Sequence, residues 1–134
     1  MATISAVRQA LADCGTGLGF NAQARVSGSV VPPAWLVTPG DPVITYHDTT
    51  DGGTTMRFSV LVLVRFADPE SAQDELDGYL DADAATSAKA AIEADPTLDG
   101  LVAWVHVAAA GGYDTYGFNN VDYLGARLDV EVGT

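Results

Sequence analysis

The stretch that most constrains this chain runs from Met56 to Leu80. Its first half, Met56 to Phe66, alternates with a period of two. Phe58, Val60, Val62, Val64 and Phe66 share one face, while Ser59, Leu61, Leu63 and Arg65 share the other. That period is the signature of a strand. Apolar residues on both faces at its centre predict a central strand, covered on each side. The second half starts with Asp68 at the helix cap, Pro69 at the first helical position and Glu70 in the first turn. An acidic cap meets the free amides and positive end of a helix, and Pro has no amide to lose there. Ala72, Leu76, Tyr79 and Leu80 form the expected buried stripe of this helix. Phe58, Val60, Val62, Val64, Leu76 and Leu80 are therefore the expected structural spine.

The flanking sequence adds elements of both kinds. Residues 3 to 14 predict a short helix capped by Thr3 or Ser5 and striped by Ile4, Val7, Leu11 and Cys14, with Gly15 to Gly19 ending it. Ala22, Ala24 and Val26 alternate with polar neighbours and predict a strand over about 21–27. Pro32-Pro33 breaks the chain before a short strand, Ala34 to Val37. A turn is expected at Pro39-Gly40-Asp41-Pro42, followed by a strand over Val43 to His47. Asp51-Gly52-Gly53, in the polar segment Asp48 to Thr55, suits the positive φ angles of a hairpin tip. A second short helix spans about Thr86 to Ala94 and stops at Asp95-Pro96. The last third predicts an antiparallel meander: a strand over Leu101 to Ala108, a turn at Gly111-Gly112, a strand over Tyr113 to Phe118, a tight turn at Asn119-Asn120 and a last strand. In that last strand Leu124, Ala126, Leu128, Val130 and Val132 face inward. The expected fold class is α+β: a single domain over 1–134, with a mostly antiparallel sheet flanked by two to three helices.

At 134 residues with 48% hydrophobic side chains, the chain can bury roughly two-thirds of its unfolded surface. Its one cysteine, Cys14, excludes an intrachain disulfide. The start, Met1 to Arg8, lacks the charged head and apolar run of a signal peptide, and the longest apolar run, Val60 to Val64, is too short to span a bilayer. A soluble, cytoplasmic protein is the expectation. Eighteen acidic residues against six scattered cations, at 8, 25, 57, 65, 89 and 127, leave a formal charge of −12. Gripping DNA through its phosphates needs clustered Lys and Arg, so specific nucleic-acid binding is not expected.

Catalytic and ligand-binding motifs fail on inspection. Gly15-Thr16-Gly17-Leu18-Gly19 lacks the dinucleotide spacing, and no Walker-type Gly-Lys-Ser/Thr occurs. Asp81-Ala82-Asp83 begins like a calcium loop, but positions 5, 6 and 12 would be Ala85, Thr86 and Ile92. Cys14, His47 and His106 have no zinc spacing, and Cys14 has no basic neighbour to make it a nucleophile. No catalytic residue, metal ligand or cofactor site is expected. The aromatics carry more information, because they serve both cores and interfaces. Trp104 fits either a core or a subunit contact. Of the late group Tyr113, Tyr116, Phe118 and Tyr123, the pair Tyr113 and Tyr116 lies beside the expected glycine turn. With Trp35 and the hairpin tip Asp51, Gly52 and Gly53, Tyr113 and Tyr116 are the candidate interface residues.

The run Val64 to Asp68, Ala72 to Leu80 and Ser87 to Leu98, together with Asp122 to Val132 and the start Ile4 to Ala12, resembles a phage family. It is similar to the small tail terminator, or neck, proteins of long-tailed, non-contractile double-stranded DNA phages, above all those of actinobacterial hosts. The resemblance is clearest from 60 to 132 and weakest over 15–55. It implies a ring-forming α+β subunit, in a hexamer that caps the head-proximal end of the tail tube and ends its polymerisation. Its implied partners are itself, the tail tube protein and the head-tail connector. DNA would pass through the ring without specific binding, no membrane would be involved, and the location would be the virion neck after assembly in the host cytoplasm. An acidic lumen would let DNA slide without sticking. The rival readings are another neck component, such as a head-tail connector or tail completion protein, and a small-ligand-binding domain or enzyme with a deep polar pocket between sheet and helices.

Overall fold

The computed structural model of the chain describes residues 3–23, 31–46, 53–66, 68–81, 83, 86–118 and 120–134, with Asp41, Pro42 and Phe118 described by backbone alone. Among these residues, three helices, α1 (Ile4–Leu18), α2 (Pro69–Leu80) and α3 (Ala88–Glu93), accompany five strands: β1 (Asn21–Gln23), β2 (Ala34–Tyr46), β3 (Thr54–Arg65), β4 (Trp104–Phe118) and β5 (Val121–Gly133). The strands form one sheet in the order β1-β2-β3-β5-β4. Only β1 and β2 run parallel; the other neighbours are antiparallel. The architecture is α+β, and β3 holds the central place its two apolar faces predict.

Why β3 takes the centre follows from its pairing. Val60 and Val62 oppose Val37 and Trp35 on one side and Leu128 and Ala126 on the other. All six are at most 2% exposed, and full burial of one aliphatic side chain contributes about 1.5–3 kcal/mol. This face continues through Phe58 and Val64 and receives Val7 and Leu11 of α1, Ala72 and Leu76 of α2, and Ala88 and Ile92 of α3. The inward set of β5 from Leu124 to Val132 is buried there as expected. The opposite face carries a smaller cluster, Ala34, Leu36, Leu61, Leu63 and Tyr123, with Tyr116 packed against it and no helix residue in it. Among the described residues the helices thus lie on one face of the sheet. Of the spine, Phe58, Val60, Val62, Val64 and Leu76 are fully buried and Leu80 is half-buried.

Several expected breaks are continuous structure. The first helix does not stop at Cys14 but runs through Gly15 and Gly17 to Gly19, which ends it in the left-handed conformation at φ 99°. Gly15 serves packing: a Cβ there would lie 2.4 Å from Cγ of Trp35. The Pro39 to Pro42 segment is not a turn. It lies inside β2, where the register with β3 shifts between Pro39 and Ile44. Proline has no amide for the ladder, so an irregularity in an unbroken strand accommodates it. Gly111-Gly112 likewise bends β4 without ending it. The register with β5 shifts between Gly111 and Asp114, and Gly112 takes φ 64°. The expected meander is therefore one long hairpin, β4–β5, closed beside Asn120 at φ 64°. Leu101 to Ala103 precede β4, although the Ala103 amide donates to the Gly133 carbonyl.

Local capping rules hold where they are specific. Thr3 caps α1 through the Ala6 amide. Asp68 caps α2 by accepting from the Glu70 amide and the Ser71 hydroxyl. Ser87, not Thr86, caps α3, while the Thr86 hydroxyl donates to the Gly78 carbonyl 2.8 Å away. Of the predicted strand over 21–27, the first three residues form β1 and the rest lie outside the described residues.

Candidate interaction surfaces

The candidate interface residues separate cleanly by burial. Trp35 corrects the expectation: it is 0% exposed, with its indole Nε1–H donating to the Leu11 carbonyl at 3.1 Å. Phe20 packs against it at a tilt of 55°, with ring centroids 5.2 Å apart, and also meets Tyr79 at 4.5 Å. A large aromatic whose polar tip is satisfied inside is a core anchor. Asp51 and Gly52 lie outside the described residues, and Gly53 is half-buried immediately before β3.

Tyr113 and Tyr116 both lie in the second half of β4, not at a turn, and point to opposite sides of the sheet, Tyr113 toward α2 and Tyr116 into the helix-free cluster. Tyr113 is 45% exposed and its hydroxyl donates to Asp77 of α2 at 3.0 Å. Partial burial, then the Asp77 carboxylate, raise its pKa. Tyr116 is half-buried, and its hydroxyl donates to the Gly112 carbonyl across the bend. The bend itself explains the glycine, since Gly112 takes φ 64°, a left-handed backbone that residues with a side chain rarely adopt. Sequence reasoning left Trp104 open, and the structure places it on the surface. It is 42% exposed, with its indole over Gly133, where a Cβ would come within 2.0 Å of the ring nitrogen.

One cluster escaped the sequence reading. Glu93, at the end of α3, meets Lys89 one turn earlier, accepts from the Val107 amide of β4 at 3.0 Å and lies 3.4 Å from Nδ1 of His106. Its carboxyl is held below the usual carboxylate range, first by Lys89 and then by the Val107 amide. The spacing Lys89-x-x-x-Glu93 was a legible sign of a helical pair, but its reach to β4 was not. Elsewhere, burial and the nearby Asp95 and Asp13 push the Cys14 thiol up, so a reactive thiolate is disfavoured.

The charge is unevenly divided between the two sides of the sheet. The helices and the turns that join them carry Asp13, Asp68, Glu70, Asp74, Glu75, Asp77, Asp81, Asp83, Glu93, Asp95 and Asp99, eleven carboxylates, against Arg8 and Lys89, a net of −9. Strand register places Arg57, Arg65 and Arg127 on the helix-free face with Asp114, Asp129 and Glu131, so that face is neutral in these groups. Arg57 and Glu131 pair across β3 and β5 at 3.4 Å. Between the irregular stretches of β2 and β4 this face has a shallow cavity of about 240 Å³ lined by Gly40, Arg57, Ser59, Ala108, Asp129 and Glu131. That is below the roughly 300–1,000 Å³ of most small-ligand sites.

Among the described residues, no three His, Cys, Asp or Glu side chains come together as a metal site, and no helix is long and apolar enough to cross a membrane. Compared with known proteins, the chain matches no family model and no curated protein.

Proposed function

We propose that this chain is a structural subunit of a phage tail neck, a tail terminator that forms a ring, hexameric by the resemblance, on the head-proximal end of the tail tube. The observation that carries the reading is the segregation of charge. A net −9 sits on the helical layer, while among the described residues the helix-free face balances three arginines against three carboxylates. A strongly acidic wall repels a polyanion and lets DNA pass without holding it, while a neutral face is free to pack on protein. The residues that carry the resemblance support the same reading. Val64 to Leu80 spans the end of β3 and α2, and Asp122 to Val132 is nearly all of β5, so the similar segments are the scaffold that presents these surfaces. The partners on this reading are further copies of the chain, the tail tube protein and the head-tail connector.

The test is tube growth. Added to polymerising tail tube protein, the chain should halt elongation and leave shorter tubes capped at one end. Tubes that grow to the same length with and without it would overturn the reading in favour of another neck component or an unrelated role.

A further inference from the structure

We infer that the helix-free face of the sheet, centred on Arg57, Arg127, Asp129 and Glu131 and flanked by Trp104, is the surface through which one copy of this chain packs on a second copy. This deepens the reading above by naming the face that joins like subunits. Two copies at −12 each repel one another, and the repulsion is strongest wherever helical layer meets helical layer, since each carries −9. Charges in direct contact lie well inside the Debye length of about 8 Å at physiological salt, so screening does not remove that cost. The helix-free face, among its described residues, escapes it. Its arginines and carboxylates alternate: Arg57 pairs with Glu131 at 3.4 Å, Arg127 opposes Leu61 two residues before Asp129, and Arg65 opposes Tyr123. Half of the six cations of the chain therefore lie on one face of the sheet.

A surface with both signs interleaved can meet an identical chain with opposite charges facing, which fixes register more than it adds affinity. Arg57, Arg65, Arg127, Asp114 and Asp129 are exposed and Glu131 is half-buried, so these charges are available to a neighbour. The apolar contribution comes from Trp104, 42% exposed at the Gly133 end, and from half-buried Tyr116 at the other. Tryptophan, tyrosine and arginine are the side chains enriched in interface hot spots.

The experiment is sedimentation equilibrium of the purified chain up to near-millimolar concentration, beside Arg127→Glu, Arg65→Glu and a control, Lys89→Glu, which makes the same charge change on the helical layer. Circular dichroism checks that each variant is folded. Wild type should self-associate. Arg127→Glu and Arg65→Glu should each weaken association by about tenfold or more, as like charges are brought together, and Lys89→Glu should change it less than about twofold. Equal weakening by all three variants would make the effect one of net charge and overturn the inference. So would a wild type that stays monomeric throughout. Stoichiometry separates this inference from the ring. A closed pair sensitive to Arg127→Glu keeps the contact face and contradicts the ring, whereas a ring insensitive to it does the reverse.

Discussion

At Gly15 the backbone of α1 approaches Trp35 so closely that a Cβ would overlap the indole at 2.4 Å from Cγ. A helix interior gains up to about 1 kcal/mol when glycine becomes alanine, but overpacking a filled core costs typically about 1–3 kcal/mol. Backbone and a 0%-exposed ring stand on either side of this contact, so the clash wins. Gly15→Ala should destabilise the protein by about 1–2 kcal/mol in urea unfolding. Gly17→Ala, two residues on in the same helix with nothing within 4 Å of its Cβ, should stabilise it by about 0.5–1 kcal/mol. The opposite signs would show that one glycine is required by packing and the other is not. From sequence the two glycines look alike, because a helix stop and a close contact both select the residue with no side chain. Trp35 was misjudged for a related reason. Its type suits an interface or a core, and only the depth of the Leu11 and Gly15 turn decides.

Among the elements, those written in local code were legible. The Asp68-Pro69-Glu70 start of α2, the Thr3 cap of α1 and the period-2 runs of β3 and β5 depend on neighbours in sequence, and each appears where the residues place it. Elements whose continuity depends on a partner strand were not. Proline and glycine in β2 and β4 read as turns, yet pairing with β3 and β5 carries both strands through them at the cost of register shifts. The irregularities in β4 also bear on the sheet edge, since bulges twist an edge strand away from unwanted pairing. Near Val107 that edge is further closed by Glu93 of α3. This link has a pH signature. The folded carboxyl of Glu93 is depressed by Lys89 and the Val107 amide, so its contribution is complete above the unfolded carboxylate range and is lost as pH falls through the lower, folded value. In thermal unfolding, Glu93→Gln should cost no more than about 1 kcal/mol at neutral pH, as for an exposed pair. Its deficit against wild type should shrink as the pH is lowered through the acid range. A deficit that stayed constant would separate Glu93 from the acid sensitivity of the fold.

For the whole molecule, the sequence disclosed the size of the charge but not its geography. A value of −12 is compatible with an evenly solvated surface. Only the register of β3, β4 and β5 shows that half the cations share the helix-free face while eleven carboxylates gather on the helical layer. On the proposed reading, the division supplies a subunit with two surfaces of different use, one that polyanions avoid and one on which protein can pack. A ring of such subunits would turn the first toward passing DNA and pack the second on a different surface of the next member.

The most direct measurement of that claim is native mass spectrometry with negative-stain microscopy of the purified chain, alone and mixed with the tail tube protein. Six-membered rings, free or seated on one end of a tube, are the predicted result. Monomers or pairs in both samples, with no ring on any tube end, would contradict it.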